Sequence, residues 1–231
     1  MRINQNTAIS SSKALLVPYE AHHVLKYHSW MQDPHIQEAT ASEPMTLEEE
    51  YENQQSWRSA RDKLTFIVCA PLEAACAHIQ AGREDSNERM RGDINFFLYP
   101  YESEDDEDVP QSWLMGEVDV MIADKDHRGK GLGRAAVCML LAYLKRNIDA
   151  ILREHAEEGV LRGLMVKIKQ DNAASVALFR KLGFQQKGEV NYFGEITMTM
   201  AWDVLETLEW WDAAWGDYRE MGYVTGVDGE H

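Results

Sequence analysis

Arg128-Gly129-Lys130-Gly131-Leu132-Gly133-Arg134 stands between an alternating apolar segment (residues 117–123) and a strongly apolar stretch (residues 133–153). A helix N-terminus leaves backbone N–H groups without partners and carries partial positive charge. Glycines let such a turn approach a ligand without side-chain obstruction, so the pattern suits a pyrophosphate. Lys125, Arg128, Lys130 and Arg134 against Asp126 alone make the same stretch a basic island. The surrounding chain of 231 residues has 39 acidic against 23 basic side chains and a net charge of −16. A solvated Gly-rich turn is the plain alternative.

Three phosphate-binding patterns compete for this stretch. A P-loop, GxxxxGK followed by Ser or Thr, occurs nowhere in the chain. Gly131-Leu132-Gly133-Arg134-Ala135-Ala136 matches the dinucleotide fingerprint in letters, but a charged loop separates it from the preceding strand. The next strand-end acid, Asp171, comes 35 residues after Ala136 instead of about 20. Arg-x-x-Gly-x-Gly, the third pattern, is satisfied by Arg128, Gly131 and Gly133.

Outward from the turn, strands and helices interleave. Residues 13–19 read as a first strand and 21–31 as an amphipathic helix, broken by Pro34 and a loop to Ala41. Thr46-Leu47-Glu48-Glu49 is a capping-box signature opening a helix to about Arg58. Strands are expected at 64–70, 93–99, 117–123, 160–168 and 195–202, with a short helix at 173–182. Residues 78–91 and the acidic run 102–108 read as exposed loops. Trp202, Leu205, Leu208, Trp211 and Trp215 trace a helical stripe that suits docking on the chain's own core; the last ten residues look frayed. The fold class is mixed α/β (α+β). One domain is expected over residues 1–202, with a Trp-rich acidic tail at 203–231.

The turn is followed, one helix and one strand later, by Asn172-Ala173-Ala174-Ser175-Val176-Ala177-Leu178-Phe179-Arg180-Lys181-Leu182-Gly183-Phe184. The two blocks together resemble the GNAT superfamily of acetyl-CoA-dependent acyltransferases. The opening MRINQNT, residues 40–51 and residues 116–122 resemble its N-acetyltransferase 9 subgroup.

That resemblance implies a single domain whose mixed sheet splays between the strands at 117–123 and 160–168. Acetyl-CoA would insert there as cosubstrate, with its pantetheine on backbone groups of Met121, Ile122 and Ala123. Its pyrophosphate would lie on Arg128, Gly129, Lys130, Gly131, Leu132, Gly133 and Arg134, with Asn172 reaching it or serving only as a helix cap. Loops 33–45 and 191–195 would line the acceptor entrance. The acceptor would be a protein or peptide amine, tubulin by resemblance.

Acetyl transfer to an amine needs a neutral nucleophile, an oxyanion site and a leaving thiolate. Deprotonating a lysine at pH 7 costs about 4.6 kcal/mol and an α-amine about 1 kcal/mol. Glu117 and Asp119 share one strand face and are the candidate bases, with a polar solvated face as the alternative. A backbone N–H near Ile122 or Ala123 would face the oxyanion. Phe179 stands where many members of the superfamily carry a tyrosine that protonates the departing thiolate. A thiol of ordinary acidity leaves at a penalty of about 2 kcal/mol, so the reaction survives without that acid.

Acidity argues against nucleic acid or an anionic membrane as partners. Cys69, Cys76 and Cys138 lack CxxC spacing, pointing to a reducing, cytoplasmic setting. The eight histidines have no companion ligands at metal spacing, so no metal is expected and His22, His23 and His28 read as helix-face residues. The rival reading is a non-catalytic CoA-binding interaction protein, microtubule-associated.

Overall fold

The computed structural model describes residues 1–74, 76–102, 108–156 and 158–225. Ten strands form one sheet: β1 (Thr7–Ser10), β2 (Leu15–Pro18), β3 (Lys63–Cys69), β4 (His78–Gln80), β5 (Met90–Pro100), β6 (Trp113–Ile122), β7 (Val160–Lys169), β8 (Gln185–Lys187), β9 (Glu195–Ala201) and β10 (Arg219–Val224). Their order is β4-β10-β1-β2-β3-β5-β6-β7-β9-β8. Only β6–β7 and β10–β4 pair in parallel among the described strands.

Helices α1 (Val24–Met31), α2 (Pro34–Thr40), α3 (Leu47–Ser59), α4 (Leu132–His155), α5 (Ala173–Lys181) and α6 (Trp211–Asp217) cover the two faces. Alternation decides which side chains meet which layer. On β3, Leu64, Phe66 and Val68 pack toward α4, whereas Ile67 and Cys69 pack toward α1. Leu140, Leu141 and Leu144 of α4 are fully buried, each contributing roughly 2 kcal/mol of apolar burial. The α3 capping box forms as expected: Thr46 Oγ1 accepts from Glu49 N–H, and Glu49 Oε2 accepts from Thr46 N–H at 2.7 Å.

Several expectations are corrected. The stretch after Pro34 is a helix, because Asp33 caps it by accepting from His35 N–H at 2.9 Å and proline fits the first helical turn. Residues 78–91 hold β4 and the start of β5. Thr7–Ser10 and Gln185–Lys187 are strands that the sequence pattern did not mark. The tail stripe is not one helix. Residues 202–207 form a 3-10 helix and α6 follows, while Arg219–Val224 joins the central sheet between β1 and β4. Leu205, Trp210 and Trp211 are buried against the core, and Trp210 Nε1–H donates to Leu182 O at 3.2 Å. Of the segments read as an exposed acidic loop and a frayed end, residues 103–107 and 226–231 lie outside the described residues. No described helix is long and apolar enough to cross a membrane.

Candidate functional site

Two features meet at the middle of the sheet. The first is the end of the β6–β7 ladder. Pairing runs from Trp113↔Val160 to Glu117↔Met165 and stops there, although β6 continues to Ile122 and β7 to Lys169. The two strands splay beyond that point, as expected. Ala123 N–H donates to Arg91 O of the β5 side at 2.9 Å. Strand alternation therefore turns the Ile122 backbone toward the open side and the Met121 and Ala123 amides toward β5. This corrects the expectation for Met121 and Ala123, whose amides turn to β5; Val120 and Ile122 are the residues whose backbone faces the gap.

The second feature is the turn ahead of α4. Gly129 (φ 71°) and Gly131 (φ 85°) take left-handed conformations, and a Cβ at either would have no heavy atom within 4 Å. The space above the turn is open. Among the described residues, no N–H from residue 129 to residue 134 donates within the protein; the first bond of the helix is Ala135 N–H to Gly131 O at 3.0 Å. Six consecutive amides are thus without a partner in the chain at the open start of α4, which fits a diphosphate.

The basic side chains divide. Arg128 does not reach out; its Nε–H donates to Ile122 O at 2.6 Å and Nη2–H to Ala123 O at 3.4 Å, bracing the end of β6. Lys125 pairs with Asp33 at 2.8 Å, tying the turn to α2. Lys130 and Arg134 make no ion pair among the described residues and remain available to an anion.

A cavity of about 370 Å³ joins gap and turn. It is lined by β6 from Asp119 to Ile122, by the turn, by α2 through His35 and Thr40, and by α5. Of the segment expected as an entrance loop, residues 34–40 are therefore a helix wall. Asn172 serves as the expected cap and stands at the cavity. It caps α5, its Oδ1 accepting from Ser175 N–H at 3.1 Å, and it borders the cavity. Phe179 is buried edge-on to Phe184, with no hydroxyl to give.

The two candidate bases separate. Glu117 accepts from Lys167 Nζ at 2.8 Å on the open sheet face. Asp119 lines the cavity with its side chain exposed to it. Loss of surrounding water, and then the Glu117 charge, push its carboxyl up to about 6. Sequence reasoning missed what lies behind it. Asp93, opposite Met121 on β5, is buried and accepts from Tyr27 O–H and Asn95 Nδ2–H.

Reasoning from the sequence also missed that Asp85 joins His22 and His23. Their ligand-type atoms lie within 4.8 Å of one another. Asp85 Oδ2 accepts from His22 and His23 Nε2–H, both at 3.1 Å, and from Tyr223 O–H at 2.7 Å. Because His23 Nδ1 accepts from Glu20 N–H at 3.0 Å, its Nε2 carries the proton and has no lone pair for a metal. Burial opposes the Asp85 charge, but the hydrogen bonds from both histidines and the tyrosine outweigh it and hold the carboxyl well below the usual range. The cluster ties β10 to the segment before α1.

The family model described as "Acetyltransferase (GNAT) domain" matches residues 13–185. An N-acetyltransferase 9-like protein of Caenorhabditis briggsae is 42% identical over 90% of this chain and 92% of its own. The Homo sapiens protein named alpha/beta-tubulin-N-acetyltransferase 9 is 40% identical over 87% and 86%. Among solved structures, spermidine N-acetyltransferase from Vibrio cholerae in complex with CoA and spermine superposes with a TM-score of 0.59 at 15% identity. That match covers 83% of this chain and 97% of the other, and shows the shared fold.

Proposed function

The chain belongs to the GNAT acetyltransferase family and is an N-acetyltransferase acting on a protein amine, and we propose that it takes the acetyl group from acetyl-CoA bound across the β6–β7 gap. The observation that carries this reading is the run of six unpartnered amides, residues 129–134, opening onto strands whose ladder has just ended. Acetyl-CoA supplies an activated thioester when bound.

The chain's own residues do the rest. The turn amides, Lys130 and Arg134 hold the diphosphate. The Ile122 N–H lies where negative charge develops on a carbonyl oxygen and stabilises it without reorganisation. Asp119 takes the proton from the acceptor amine, directly or through one water, its raised basicity suiting the task near neutral pH. Glu117, held by Lys167, orients the acceptor face instead of competing for that proton. α2 closes one wall of the cavity.

We take tubulin as the acceptor, because relatives covering most of this chain carry tubulin in their names. A cytoplasmic site of action is consistent with three free cysteines. The test is release of free thiol from acetyl-CoA with tubulin and with a peptide panel, followed by mass spectrometry of the products. Acetylated tubulin with one thiol released per acetyl group supports the reading. Coenzyme binding without turnover on any acceptor would refute it.

A further inference from the structure

We propose that Asp93 is a positioning residue for the transfer: a neutral carboxylic acid buried behind Asp119 whose ionisation, felt across the Asn95 amide, strengthens the carboxylate that faces the acceptor. The register between β5 and β6 sets Asn95 opposite Asp119 and Asp93 opposite Met121, so Asp93, Asn95 and Asp119 share the sheet face that α1 covers. Asp93 is 2% exposed. Its Oδ2 is saturated, accepting from Tyr27 O–H at 3.3 Å and Asn95 Nδ2–H at 2.9 Å. Its Oδ1 is buried without a partner, as are Asn95 Oδ1 and, on β3 opposite Asn95, Thr65 Oγ1.

A carboxylate with one bare oxygen in such a place is costly. A carboxylic acid carrying its proton on Oδ1 removes that buried charge. The groups around it carry no compensating cation. Tyr27 and His28 come from α1, Tyr19 from the segment after β2, Glu50 from α3, Thr65 and Cys69 from β3, and Glu117 and Asp119 from β6. His28 is turned to Glu50 at 3.8 Å. Burial first, and the Asp119 charge second, push the Asp93 carboxyl up to about 7, against the hydrogen bonds from Asn95 and Tyr27. The two carboxyls therefore lose their protons in sequence, Asp119 before Asp93. Once Asp93 ionises, a second negative charge behind Asp119 makes it hold a proton more strongly, and so work as a stronger base.

The inference rests on Asp119 as base, and the experiment separates the two. kcat/KM for one peptide acceptor is measured from pH 5.5 to 9 with wild type and Asp93→Asn, and the two profiles are divided, which cancels the titration of the acceptor amine. Asparagine copies the neutral acid, so the variant folds. The ratio of wild type to variant is expected near one below pH 6 and about threefold above pH 8, with its midpoint near 7. A ratio independent of pH, which a purely structural role would give, overturns the proposal, as does an Asp93→Asn chain that fails to fold. Tyr27→Phe, which removes a donor favouring the ionised form, moves the wild-type-like midpoint to higher pH; an unmoved midpoint counts against the proposal. Wild-type turnover in Asp119→Asn overturns the base assignment itself, whereas an inactive Asp119→Asn with a flat Asp93 ratio overturns this inference alone.

Discussion

Replacing Gly131 with glutamate puts a carboxylate among six unpartnered amides, and this sets the consequence for coenzyme binding. A ligand at 100 times its Kd stabilises the state it binds by about 2.7 kcal/mol. For a chain of this size that raises Tm by about 5–11 °C. In Gly131→Glu the new carboxylate both repels the diphosphate and occupies its donors, so the shift is expected to fall below about 1 °C. The variant also carries a side chain at φ 85°, which lowers the stability of the free protein by roughly 1–2 kcal/mol. Gly131→Ala has the same strain without the charge, and no heavy atom lies within 4 Å of its Cβ; it keeps most of the coenzyme shift. Differential scanning fluorimetry with and without CoA on all three proteins is the assay. A full shift in Gly131→Glu would refute the assignment of the turn to the diphosphate.

Asp119→Asn is expected to lower kcat roughly 10²-fold or more in the thiol-release assay, and Glu117→Gln only a few-fold, because Lys167 already engages Glu117; equal losses would contradict the division of roles. Asp85→Asn leaves the buried His23 N–H without its carboxylate acceptor and loosens Tyr223, so it is expected to cost about 3 kcal/mol in urea unfolding with kcat of the folded fraction unchanged. Two groups set opposing limbs of stability against pH. Burial denies folded His23 a proton that the unfolded chain takes up, so its contribution is lost as pH drops below the ordinary histidine range. Folded Asp93 keeps, to about 7, a proton that an ordinary carboxyl loses near 3.8, so its contribution is lost as pH rises between those values and is level above them. Thermal melts across pH check both limbs, and Asp93→Asn should remove the one that falls with rising pH.

The coenzyme half of the site was legible because its chemistry is local. One turn and the helix it opens supply the groups proposed to meet the diphosphate, and seven consecutive residues specify both. The same holds for the capping box at Thr46. Asp33 followed by Pro34 is an equally local helix start, yet proline was weighed as a breaker, and α2 went unseen. The acceptor half depends on register instead. Nothing near Asp93 in sequence says that Asn95 will face Asp119 across a ladder, or that α1 will bring Tyr27 down on it. The Asp85 cluster gathers residues 22, 23, 85 and 223, whose meeting depends on β10 closing beside β1. Short strands such as β1, β4 and β8 carry too little alternation to be read, because their neighbours and not their own side chains decide their pairing. The tryptophans of the tail gave a true signal of docking but the wrong period, since the 3-10 turn at 202–207 and α6 are separate pieces.

Hydrogen exchange read by mass spectrometry on the folded protein, with and without acetyl-CoA, addresses the central claim most directly. Amides 129–134 have no partner within the chain and exchange fast when free. Saturating acetyl-CoA should slow peptides spanning 118–134 more than any others. Binding detected by calorimetry with no added protection across those residues would contradict the account.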